Sequence, residues 1–79
     1  MDYMAQENLK NAHAHTCREE LFKANDSATF AVKGLRAAHR AAVGMEDKYA
    51  RIAIMDALEA AVNLQRRVAQ LLQAANEKH

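Results

Sequence analysis

The residues best suited to chemistry lie together in the stretch His13-Ala14-His15-Thr16-Cys17. Imidazole and thiolate groups are ligands that zinc and copper prefer in proteins. On a helix, His13 and Cys17 lie one turn apart on the same face. A further ligand for this candidate metal site would come from water, from His39 or from a second subunit.

Two observations argue against a metal at His13, His15 and Cys17. Structural zinc sites usually carry paired elements such as CxxC or HxxxH, and the chain contains neither. Cys17 also falls in a regular apolar stripe, which predicts a buried thiol of low reactivity. We therefore favour two surface histidines beside a core cysteine, and we expect no cofactor.

Enzymatic motifs are absent from the sequence. It has no Glu-x-x-His pair of the kind that di-iron bundles use, no glycine-rich phosphate loop and no nucleophile elbow. We therefore expect a protein that is not an enzyme.

Basic side chains do not favour a nucleic-acid partner. Eleven basic and ten acidic residues give a net charge of +1, and the two signs are interspersed. Phosphate binding requires basic groups that converge on one patch with little acid nearby. We interpret them as solvated surface positions and keep nucleic-acid binding as an alternative; the candidates are Lys33, Arg36, His39, Arg40, Arg51, Arg66 and Arg67.

Two apolar stripes determine the helices on which these histidine, cysteine and basic side chains lie. Their members alternate in spacing between four and three, which places each stripe on one face of a helix and is typical of a helix pair. The first stripe is Cys17, Leu21, Ala24, Ala28, Ala31, Leu35, Ala38, Ala42 and Met45, and the second is Ala50, Ile54, Ala57, Ala61, Leu64, Val68, Leu71 and Ala75. The pattern predicts an all-α antiparallel helical hairpin.

The boundaries of the hairpin follow from capping residues. We expect a flexible segment or short helix over 1–15, then a hairpin over 16–79 with helix one at about 17–43, a turn at 44–47 and helix two at about 48–76. Thr16 and Glu19 form a potential capping box, and Gly44 is placed for a left-handed helix end. Asp47 is a plausible cap for helix two.

Helix one has one weak point, at Asn25-Asp26-Ser27. These residue types prefer caps and turns to helix interiors. The apolar stripe keeps its phase across them, so we favour a continuous helix; the alternative is a break in which Asp26 or Ser27 caps a second segment.

A hairpin of this composition needs a partner for stability. Eighteen residues of the chain are alanine, and alanine buries little apolar area. The single cysteine excludes an internal disulfide. We therefore expect two chains to form a four-helix bundle as a homodimer.

Residues outside the main stripe on helix one suggest a docking surface for a partner protein or for the second copy. Small side chains in a row let another helix approach closely, and an aromatic side chain beside them needs a cover. The alternative is that alanines fill this face because they favour helix formation, with Phe30 covered by the N-terminal segment. The candidates are Phe30, Gly34, Ala37 and Ala41, followed by Phe22 and Val32.

These features together favour a small protein-binding regulator that inhibits or modulates a larger protein by occluding its surface. A phage-encoded inhibitor and a bacterial anti-activator both fit this layout. A small metal-binding bundle is the alternative from another class. We expect no membrane association, since no apolar run approaches the ~20 residues that span a bilayer. The lack of a signal peptide and the lone cysteine favour the cytoplasm.

Overall fold

The computed structural model describes residues 2–77, with side chains from residue 6 onward. It consists of helix α1, Asp2–Gly44, and helix α2, Lys48–Glu77, joined by a three-residue turn. The two helices pack against each other in an elongated hairpin of 67 × 15 × 14 Å. The predicted all-α helical hairpin is confirmed.

Helix α1 begins much earlier than the sequence pattern indicates. A separate segment was expected over 1–15, but α1 is continuous from Asp2, and Thr16 lies inside it rather than at its start. The first thirty-three residues contain neither glycine nor proline, so the potential capping box at Thr16 has no helix break to cap. Met1 lies outside the described residues.

The beginning of α1 extends past α2. Because α1 has 43 residues and α2 has 30, about 20 Å of α1 continues beyond the end of its neighbour. All described side chains from Gln6 to Cys17 are exposed. We call this stretch, residues 2–16, the overhang.

The weak point at Asn25-Asp26-Ser27 does not interrupt α1, as predicted. The hydroxyl of Thr29 donates a hydrogen bond to the carbonyl oxygen of Asn25, at 2.9 Å. This contact lies within one helical turn and leaves the backbone helical.

The turn is closed by a left-handed residue, but that residue is Glu46 and not Gly44. Glu46 has a φ of 58°, whereas no described glycine has a positive φ. The N–H of Glu46 donates to the carbonyl oxygen of Val43 at 3.1 Å. The N–H of Asp47 donates to the carbonyl oxygen of Ala42 at 3.3 Å, which completes a Schellman motif.

Asp47 caps α2 as the sequence predicts. Its Oδ1 accepts a hydrogen bond from the backbone N–H of Ala50 at 3.0 Å, and its carbonyl accepts one from Arg51 at 3.0 Å. Three residues therefore end one helix, reverse the chain and start the next.

We call the line of contact between the helices the seam. At every second position of each predicted stripe, the residue that lies in the seam is the one that follows the predicted residue in the sequence. Val32 and Leu58 take the places expected for Ala31 and Ala57, because larger apolar side chains remove more area from water. The seam consists of Leu21, Asn25, Ala28, Val32, Leu35, His39 and Ala42 on α1, and Ile54, Leu58, Ala61, Gln65, Val68, Leu72 and Ala75 on α2.

A hydrogen bond across the seam fixes how the two helices align. The side-chain amide of Gln65 donates to the hydroxyl of Thr29 at 2.9 Å, and that hydroxyl in turn donates to Asn25. A polar contact inside an apolar seam penalises other alignments, because sliding one helix would leave these groups unpaired.

The core of the hairpin is small. Within the described side chains only Ala28, Val32, Ala42, Val68 and Leu72 are buried. More large apolar side chains remain exposed, among them Phe30 at 79% and Tyr49 at 87%. One pair of helices therefore uses only part of the apolar surface of the chain.

We predict that Val32→Asp unfolds the hairpin, because Val32 is 4% exposed and a carboxylate placed there has no partner. The cost of several kcal/mol exceeds what so small a core supplies. Circular dichroism at 25 °C should show loss of most helical signal. The control Ala37→Asp introduces the same charge at an exposed position of α1 and should stay helical. Equal helicity of the two variants would contradict the assigned seam.

We predict that Glu46→Gly stabilises the hairpin by about 1 kcal/mol, because glycine adopts a positive φ without the steric cost of a side chain. The measurement is the urea midpoint at fixed protein concentration. Glu46→Ala removes the same charge and keeps a Cβ, so it should give no such gain.

Candidate interaction surface

The three potential metal ligands do not converge. The Nε2 atom of His15 lies 2.8 Å from Oε1 of Glu19 one turn along α1, and both side chains are largely solvent-exposed. His13 and Cys17 lie one turn apart on another face of the helix. Among the described residues, no group of three histidine, cysteine, aspartate or glutamate side chains is arranged to hold a metal ion.

Cys17 is exposed, so the expectation of a buried core cysteine is wrong. It lies where the overhang meets the end of α2, beside the seam rather than in it. With Leu71 and Ala74 of α2 it lines a shallow groove. This groove shows that Cys17 and Leu71 lie on the same side of the hairpin.

That side of the hairpin carries almost no charge, and we call it the neutral face. On each helix its residues repeat at alternating spacings of three and four. On α1 they are Glu20, Ala24, Ser27, Ala31, Gly34, Ala38 and Ala41, all exposed except the half-buried Ala38. On α2 they are Ala50, Ala53, Ala57, Ala60, Leu64, Arg67 and Leu71, all exposed except the half-buried Ala50. The two charged members, Glu20 and Arg67, both lie toward the open end, and the positions between them and the turn are uncharged.

The opposite side, which we call the charged face, has a different composition. On α2 a second shallow groove there is lined by apolar Met55 and Val62 together with Glu59 and Arg66. On α1 the exposed residues of this side include Asp26, Lys33, Arg36 and Arg40.

The predicted docking strip divides between two surfaces. Phe30 and Ala37 point away from the seam on the outer side of α1, where Phe30 is 79% exposed. Gly34 and Ala41 belong to the neutral face. A side chain added at Gly34 would meet nothing within 4 Å, so the hairpin itself does not fill the space above this strip.

The two secondary candidates also separate. Phe22 is 51% exposed and stays available to a partner. Val32 is 4% exposed and packs in the seam, so it does not belong to the outer surface. Its size relative to Ala31 is the sequence signal that could have placed it there.

The basic residues only partly converge. Lys33, Arg36 and Arg40 are exposed on the charged side of α1, whereas His39 is half-buried in the seam. Arg66 and Arg67 are consecutive on α2 and diverge by about 100° around the helix axis. The segment from Ser27 to Gly44 contains the basic residues of α1 just named and no acidic residue.

Comparison with protein-family models, with curated proteins and with solved structures finds no match to this chain. Across the part of the chain that the structure describes, neither helix has a stretch long and apolar enough to cross a bilayer.

We predict that a chelator leaves the thermal midpoint unchanged, since the dispersed side chains of His13, His15 and Cys17 offer no shared coordination sphere. Thermal unfolding followed by circular dichroism, with and without EDTA, checks this. A lower midpoint in EDTA that zinc restores, and that His13→Ala removes, would reinstate the metal site.

Proposed function

We propose that this chain is a non-enzymatic, protein-binding regulator of the cytoplasm that occludes the surface of a larger protein. It acts as a homodimeric four-helix bundle. The observation that carries the proposal is the exposure of Phe30, an aromatic side chain in the second half of the longer helix. Exposed aromatic side chains on a rigid helix are common anchors for protein partners.

The surroundings of Phe30 favour a partner with an apolar socket that is acidic on the side toward the turn. Asp26 lies one turn before Phe30 and Lys33 one turn after it, and Arg36 and Arg40 follow toward the turn. Acidic side chains are absent from Ser27 to Gly44. Complementary charge of this kind accelerates encounter and sets orientation, while the buried aromatic group supplies affinity.

Rigidity supports occlusion as the mechanism. Phe30 lies on an uninterrupted helix of 43 residues, so a partner meets a preformed surface. Binding to such a surface avoids the entropic cost of ordering a flexible segment.

We predict that Phe30→Asp weakens binding to the partner by about 30-fold or more, the loss typical of a central anchor. The tagged chain would first capture its partner from a lysate of the organism that encodes it. Calorimetry with the purified partner then compares the wild type with the variant. Circular dichroism should show unchanged helicity, because Phe30 does not belong to the seam.

The matched control is Gln70→Asp, which introduces the same carboxylate at an exposed position of α2. It should bind as the wild type does. Binding of Phe30→Asp that equals wild-type binding would refute this surface.

A further inference from the structure

We infer that a second copy of this chain packs on the neutral face. The inference deepens the proposed function, since it rests on the expected two-chain assembly and assigns the surface that forms it. It also leaves the outer side of α1, with Phe30 and Lys33, open to the partner protein.

The spacing of apolar residues supports this placement. A helix that packs against one neighbour needs two apolar positions in seven, whereas a helix in a four-helix bundle needs a third on one flank. In this hairpin the third position is the neutral-face residue beside the seam, such as Ala31 on α1 or Ala57 and Leu64 on α2. Both helices carry it on the same side of the hairpin.

Charge identifies a second copy as the occupant. In a two-fold symmetric dimer the same patch meets itself, so a charged patch would place like charges close together. The charged face carries Lys33, Arg36 and Arg40 on one helix. The neutral face avoids this repulsion, because its positions within 24–41 on α1 and within 50–64 on α2 are uncharged. Its charged side chains, Glu20 and Arg67, are of opposite sign.

The shapes of the side chains are self-complementary. Alanine and glycine let helix axes approach closely, and the two leucines of the face project as knobs. In one two-fold arrangement α2 packs antiparallel on the α2 of the other copy, with Leu64 near Ala60, Leu71 near Ala53 and the aliphatic part of Arg67 over Ala57. In the other arrangement the leucines meet Ala31 and Ala24 of α1. Both arrangements place large side chains on small ones.

The available area matches what a stable dimer needs. The paired part of the hairpin is about 45 Å long and, with two helices side by side, about 18 Å wide. A footprint of this size is about 800 Å² per copy, which is the usual contribution of one partner to a specific interface.

Cysteine accessibility tests this inference on the purified protein alone. Cys17→Ser provides the background for two single-cysteine variants, Ala57→Cys on the neutral face and Ala69→Cys on the opposite flank of α2. Both positions are exposed in a single chain, so any difference between them must come from association. We expect alkylation at residue 57 to be at least tenfold slower than at residue 69, and this protection to disappear on dilution and in urea.

Light scattering across a hundredfold dilution provides the second measurement. We expect a mass near twice the 8.8 kDa of the chain for the wild type and for Ala69→Glu. Ala60→Glu should dissociate at a concentration at least tenfold higher, because it places a carboxylate from each copy against the uncharged part of the other copy's neutral face.

Three results would overturn the inference: a wild type that is monomeric at all concentrations, equal alkylation at both positions, or protection at residue 69 alone. None of these results depends on the partner protein. Failure of the dimer face is therefore distinguishable from failure of Phe30 as the partner anchor.

Discussion

The rest of the structure depends on one seam between two helices and on how little apolar area that seam can bury. Four of its fourteen positions are alanine and three more are polar, and only five described side chains are buried. Burial on this scale does not exceed the conformational entropy of ordering more than seventy residues by a wide margin. Exact alignment of the helices therefore matters, and the hydrogen bond from Gln65 to Thr29 contributes to it.

The same limitation explains the distribution of side chains over the surface. If the seam buried all the apolar side chains of the hairpin, every other side would carry charged residues. Here one flank is nearly free of charge, the other is mixed, and an aromatic side chain points outward between them. The two apolar surfaces differ in composition, and the two proposed roles, self-association and partner binding, are assigned to them separately.

Much of the fold could be predicted from the sequence because periodicity and capping are local. The hairpin, the continuity of α1 through Asn25 and the cap at Asp47 all follow from residues within a turn or two of each other. The size of Val32 favours it over Ala31 for the seam, but the same shift puts Gln65 in the seam and leaves Leu64 outside it, so side-chain size alone does not fix the phase and the second helix decides. For this reason each predicted stripe combines positions of the seam with positions of the neutral face.

Two other departures have the same kind of cause. Gly44 suits a left-handed helix end by residue type, but the chain uses Glu46, where the backbone must reverse to bring α2 alongside α1. Cys17 fits the phase of the predicted stripe, yet the seam is shifted by one residue at these positions, which leaves Cys17 exposed beside it. Phe30 lies outside the apolar stripe in the sequence and is exposed in the hairpin, because an aromatic residue opposite the seam has no intrachain neighbour to pack on.

The tight turn has a consequence for how this molecule folds. Contacts beside the turn join residues that are close in sequence, so they close short loops at small entropic cost, and each contact further along the hairpin closes a longer one. Folding should accordingly nucleate at the capped turn and zip toward the open end, with the low contact order that makes helical proteins fast folders. Backbone amides should then exchange slowly near the turn and progressively faster toward the overhang, whose hydrogen bonds no second helix protects.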